Sequence, residues 1–194
     1  MSRDRSIVTS RNKLDQWSYF EERGLAERFE CSWIEAPDYR TVVTALRAEE
    51  ETLACDLNQA RRWYLTYSEE DLLWVAEQST GWVKMFAVSG LSPWRALESL
   101  PQPGGRSYHL SYYAGEITEP IYFNGNEWED TIPDDHWDRP RQEGADLVGS
   151  PVIGREMNFY LAALAYTTGR FIDDTWFTTP GLLCRIPNGT WAHE

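Results

Sequence analysis

Between residues 157 and 169, Met157, Tyr160, Leu161, Leu164 and Thr168 recur at one-, three- and four-residue steps, and Gly169 follows. That spacing puts all five on one side of an α-helix, and a glycine there can take the left-handed turn that stops it. Leu14, Trp17 and Phe20 predict a shorter helix over 12–23, closed by Gly24. Asp38 is placed to cap another, in which Tyr39, Val42, Val43 and Leu46 share a face and Glu49, Glu50 and Glu51 form a solvated end. Leu57, Ala60 and Tyr64 suggest a helix over 56–66. Ser92 followed by Pro93 starts one that carries Trp94, Leu97 and Leu100 inward until Pro101. A helical turn is expected near 173–177, ahead of an apolar tail at 182–186.

Elsewhere the period is two. Phe29, Cys31 and Trp33 alternate with Glu30 and Ser32, which predicts a strand. Residues 72–76 and 82–88 read as a hairpin joined at 78–81. Tyr108, Leu110 and Tyr112 share one face of a strand over 107–113, and Ala114 with Gly115 turns the chain into another over 116–123. Pro120 marks that last strand as an edge, because proline cannot donate to a neighbour's ladder. Residues 126–154 hold three prolines, three glycines and many acids with little period, so a long surface loop is expected. Helices alternating with antiparallel pairs give an α+β domain, with an antiparallel sheet and helices packed mainly on one side. Residues 1–11 are expected to be a disordered lead, and 12–194 a single domain.

This order of motifs resembles an uncharacterised family of actinobacterial α+β domains. Cys31, Ser32, Trp33, Ile34 and Glu35 match its first strand, and an amphipathic helix follows. Gly81, Trp82 and Val83 match its middle strand, Gly104, Gly105 and Arg106 the strand after its next helix. The helix over 161–169, closing on Thr168 and Gly169, matches its end. The resemblance spans roughly residues 28–178 and implies a soluble bacterial α+β domain; it brings no catalytic residue with it. The acidic loop and the high tryptophan count depart from the family pattern.

At 194 residues the chain can bury a sizeable core, and ten Trp, ten Tyr and seven Phe supply large apolar rings for it. The 31 acids against 18 bases leave a formal charge of −13, which repels phosphate backbones and anionic lipid and speeds encounter with basic proteins. Nucleic acid and membrane are therefore not expected as partners. The start lacks the apolar stretch of a signal peptide, and no run is long enough to cross a bilayer. Cys31, Cys55 and Cys184 are odd in number and far apart, which suggests reduced thiols and a cytoplasmic location. Cys31 and Cys55 read as small core residues.

The densest chemistry is in the acidic loop. Glu127, Glu129, Asp130, Asp134, Asp135 and Asp138 surround His136, Trp128 and Trp137. A metal would need those ligands to converge, with a further one such as Asp173 or Asp174; the spacing forces no convergence, and the glycine of a calcium loop is missing. Glu127, Glu129 and Asp130 could supply an acid–base pair, with the tryptophans stacking a sugar. His109 has Ser107 and Ser111 on its side of a strand, without the elbow of a serine hydrolase; a structural histidine satisfied by a neighbouring hydroxyl or backbone group is the plainer expectation. No dinucleotide or phosphate-loop fingerprint occurs, and no cofactor is expected.

Two functional readings follow. The first is a non-enzymatic protein-binding domain that meets a basic partner through Glu127, Trp128, Glu129, Asp130, Asp134, Asp135, Trp137 and Asp138. Seven acids against two arginines give 127–143 a local charge of −5. Neutralising a basic toxin domain would be one instance, docking on another basic protein a second. The other reading is a small hydrolytic or biosynthetic enzyme with an aromatic-lined pocket and acid–base or metal chemistry at 127–138. That reading predicts a pocket holding at least two of Glu129, Asp134, Asp135 and His136.

Overall fold

A computed structural model describes residues 12–48, 52–64, 71–89, 97, 105–125, 127–129, 132–149 and 151–186. Its centre is an eight-stranded antiparallel sheet. The strands are β1 (Arg28–Glu35), β2 (Thr52–Cys55), β3 (Asp71–Ser79), β4 (Trp82–Ser89), β5 (Arg106–Tyr113), β6 (Glu116–Asn124), β7 (Glu127–Glu129) and β8 (Gly181–Ile186). Across the sheet their order is β2, β8, β3, β4, β1, β5, β6, β7. The apolar tail of the sequence thus becomes an inner strand, inserted between β2 and β3. Gly181 is needed there: a Cβ at that position would lie 2.6 Å from the Val75 carbonyl oxygen and 2.8 Å from the Trp74 ring nitrogen.

Both faces of the sheet are covered, which is why the 72–76 run is apolar without alternation. One face presents Phe29, Trp33, Trp74, Phe86, Tyr108 and Leu110 to helices α1 (Trp17–Glu21), α3 (Leu57–Tyr64), α5 (Val152–Thr168) and α6 (Asp174–Phe177). Those helices answer with Trp17, Phe20, Leu57, Met157, Leu161, Trp176 and Phe177. The rings meet mostly edge to face, the favoured contact of aromatic quadrupoles, as in Phe20 against Phe29 at 4.7 Å and Trp176 against Phe177 at 5.0 Å. On the other face Ile34, Val75, Val83 and Met85 pack with Val42 and Val43 of α2 (Tyr39–Ala45), with Leu46 that follows it and with Leu97.

Local signals set the helix ends. Asp38 caps α2 by accepting from the Thr41 amide at 2.9 Å. Asp56 and Gln59 bond reciprocally at the start of α3, a capping box. Asp173 caps α6 through the Trp176 amide, and Gly169 ends α5 with a φ of 78°. The five apolar and hydroxyl positions that predicted α5 are all buried.

Three expectations need correction. The helix over 12–23 is only one turn and a half, Trp17–Glu21, held by its burial of Trp17 and Phe20. Pro120 does not sit on an edge strand: β6 lies between β5 and β7. The proline is tolerated because β5 and β6 shift register between His109 and Ser111, and because β7 pairs only with residues 122–124. The 126–154 segment is not one irregular loop. It contains β7, helix α4 (Asp135–Gln142), a 3₁₀ turn (Ala145–Leu147) and the start of α5. The helix expected over 92–100 lies outside the described residues except for Leu97, which is buried, and residues 1–11 lie outside them too.

Candidate functional site

Helix α4 carries most of the acidic candidates that are described. Asp135 and Asp138 lie in its first turn and Arg139 and Arg141 in its last, each end matched in sign to the helix dipole. Pro140 sits inside the helix, where it removes one backbone bond, and its buried ring packs inward. Trp137 also turns inward. It is half-buried, stacked on Phe159 of α5 at 5.3 Å and edge-on to Tyr160 at 5.7 Å. These contacts hold α4 against α5, and Asp134, Asp135 and Asp138 are left exposed. None of the three forms an ion pair among the described residues.

The remaining candidates are distributed differently. Glu127, Trp128 and Glu129 form β7, in register with Asn124, Phe123 and Tyr122. Asp130 lies outside the described residues. The sequence cluster is therefore split between a strand at the sheet edge and a helix above the sheet. His136 parts from its two aspartate neighbours: its ring leans on Tyr108 of β5, 5.9 Å between centroids. Burial lowers the imidazole's pKa, opposed by the Asp135 charge. Tyr108 is stacked on Tyr122 at 5.0 Å, and Trp82 lies 5.8 Å away. The pair of Arg106 with Glu35, at 3.0 Å, borders this aromatic row, with the guanidinium above Trp82. Asp134 and Asp135 do not join His136 there. Among the described residues no three His, Cys, Asp or Glu side chains are grouped as metal ligands.

His109 bonds through Nδ1 to Ser32 Oγ of the neighbouring strand at 3.0 Å. Both residues are buried, and burial drives the imidazole down to about 3, so it stays neutral as a structural group. The three cysteines are free and buried. Burial raises each thiol, Cys184 to about 12, which leaves them in the unreactive protonated form. Arg61 is drawn into the fold, donating to the Arg23 carbonyl at 2.6 Å.

Sequence reasoning missed Lys84. Its side chain is fully buried, and Nζ donates to the Trp176 carbonyl at 2.9 Å and to Thr179 Oγ1 at 3.1 Å. The amine also lies 4.2 Å from the Trp176 ring centroid and 5.2 Å from that of Trp74. Burial first, and the Arg170 charge second, push its pKa down to about 6. The signal was available: Lys84 holds the middle inward position between Trp82 and Phe86. No helix among the described residues is long and apolar enough to cross a membrane. Comparison with family models, curated proteins and solved structures finds no match to this chain.

Proposed function

We propose that this chain is a protein-binding domain that presents Asp134, Asp135 and Asp138 to a basic partner. The observation that carries the reading is the arrangement of α4. Three exposed carboxylates with no ion-pair partner among the described residues stand on and at the start of a helix that Trp137 fixes to α5. A rigid element positions charges at little entropic cost, and unpaired carboxylates on its outer side steer and register a positively charged surface. Trp137 acts here as the anchor of the platform rather than as a contact residue. β7, with Glu127, Trp128 and Glu129, extends the same acidic segment to the sheet edge. A basic toxin domain is one partner of suitable chemistry.

The test is a recovery experiment with the tagged chain in lysate of its source cells, comparing wild type with Asp134→Asn, Asp135→Asn and Asp138→Asn combined. The reading expects basic proteins that are enriched by the wild type, fall away with added salt, and are lost with the triple variant. Equal recovery by the two proteins, with the variant folded by circular dichroism, sinks it.

A further inference from the structure

At the far end of α4 the chain holds a cation of its own. Lys13, just before the buried Leu14, sends its ammonium into a corner made by Tyr166 of α5, Phe171 and Glu143. The nitrogen is 2.7 Å from Glu143 Oε2 and 3.0 Å from the Tyr166 hydroxyl oxygen. It lies 5.4 Å from the Tyr166 ring centroid and 5.2 Å from that of Phe171. The two rings stand almost perpendicular, at 87° and 5.0 Å, and the ammonium sits beside Phe171 at the hydroxyl end of Tyr166. The Tyr166 hydroxyl donates to Glu143, and Arg139 stacks on Tyr166 at 3.9 Å while bonding Glu143 through Nε. An aromatic ring, a carboxylate and a phenol oxygen are elements that recognise an ammonium group.

We propose that the Tyr166, Phe171 and Glu143 box is a lysine-recognition site for the basic partner, with Lys13 as an intramolecular occupant that a partner's lysine displaces. The identity of the partner rests on the reading above; the box itself does not. Lys13 fits the part of a removable plug. Its side chain is about half exposed, and Leu14 anchors the backbone beside it, so the side chain can swing out without unfolding anything. Exposed ion pairs and cation–π contacts are individually weak, so the plug is held chiefly by proximity. A compact ammonium fits better than a guanidinium, because Arg139 already covers Tyr166 and Glu143 from its own side. The charge of Glu143 is well secured: bonds from Lys13 and then Tyr166 hold its carboxyl down to about 2.

The probe is N-acetyl-lysine methylamide, which carries a single cation, titrated while the ring resonances of Tyr166 and Phe171 are followed by NMR. Removing the plug with Lys13→Ala should tighten binding about fivefold or more over the wild type. Glu143→Gln in that background should abolish it, and the norleucine analogue, which lacks the ammonium, should not bind. The triple Asp variant should bind the probe as the wild type does, so a failed box and a failed α4 docking face give different results. Equal affinities for wild type and Lys13→Ala, or shifts that avoid both rings, overturn the proposal.

Discussion

Lys84 occupies a position that its neighbours Trp82 and Phe86 fill with rings, and an amine there must either lose its proton or carry a charge into the core. The fold supplies two oxygen acceptors and two indole rings, yet the loss of hydration on burial outweighs them and the pKa falls from 10.5 to about 6. Between those values the unfolded chain binds a proton that the folded chain does not. The stability deficit is therefore complete below about pH 6, shrinks as pH rises, and is gone above about 10.5. One such group changes stability by at most about 1.4 kcal/mol per pH unit. Lys84→Met should remove that dependence, although it strands the Trp176 carbonyl and the Thr179 hydroxyl. Urea unfolding at several pH values from 6 to 9 checks this: wild type should gain on the variant by about 1 kcal/mol per unit. A constant difference between the two would show that Lys84 stays charged in the fold.

At the scale of elements, α4 depends on its docking because its own sequence supports a helix poorly. It has eight residues, one of them an internal proline, and its acids match only the first turn. Trp137 supplies the missing term through Phe159 and Tyr160. Truncation by Trp137→Ala should cost about 2 kcal/mol, less than for a fully buried ring, and should raise amide exchange over 135–142. A loss below about 0.5 kcal/mol would mean that α4 stands without this contact. The same weakness explains why this helix was illegible in the sequence. With Trp137 and Pro140 as its inward residues, it shows no apolar period, and proline argues for a loop. Elements with whole faces to bury were legible: α5 through its five inward positions, β1 through Phe29, Cys31 and Trp33, and the β3–β4 hairpin through its glycine turn. β2 and β7 were not, because strands of four and three residues are too short to display alternation. The acidic composition of the candidate site was readable. Its division between β7 and α4, the inward turn of Trp137, and the box around Lys13 depend on tertiary packing that brings residue 13 to residues 143, 166 and 171.

For the molecule as a whole, the sheet buries apolar side chains on both faces, and the chain carries 31 acids against 18 bases. Two effects of salt then oppose each other. Screening weakens the surface ion pairs, such as Arg23 with Asp174 and Arg106 with Glu35, and also weakens repulsion among the surplus acids. Exposed pairs contribute little singly, whereas a net charge of −13 acts across the whole surface, so relief of repulsion should win. The melting temperature is expected to rise by a few degrees from low salt to about 0.3 M sodium chloride. Asp134→Asn, Asp135→Asn and Asp138→Asn together should already melt higher at low salt and gain less from added salt, since part of the repulsion is gone. Differential scanning fluorimetry at fixed pH reads both quantities. A melting temperature that falls with salt would mean that the surface pairs outweigh the surplus acids. It would also remove the argument that α4 keeps its carboxylates at a cost in stability, a cost that a basic partner would relieve on binding.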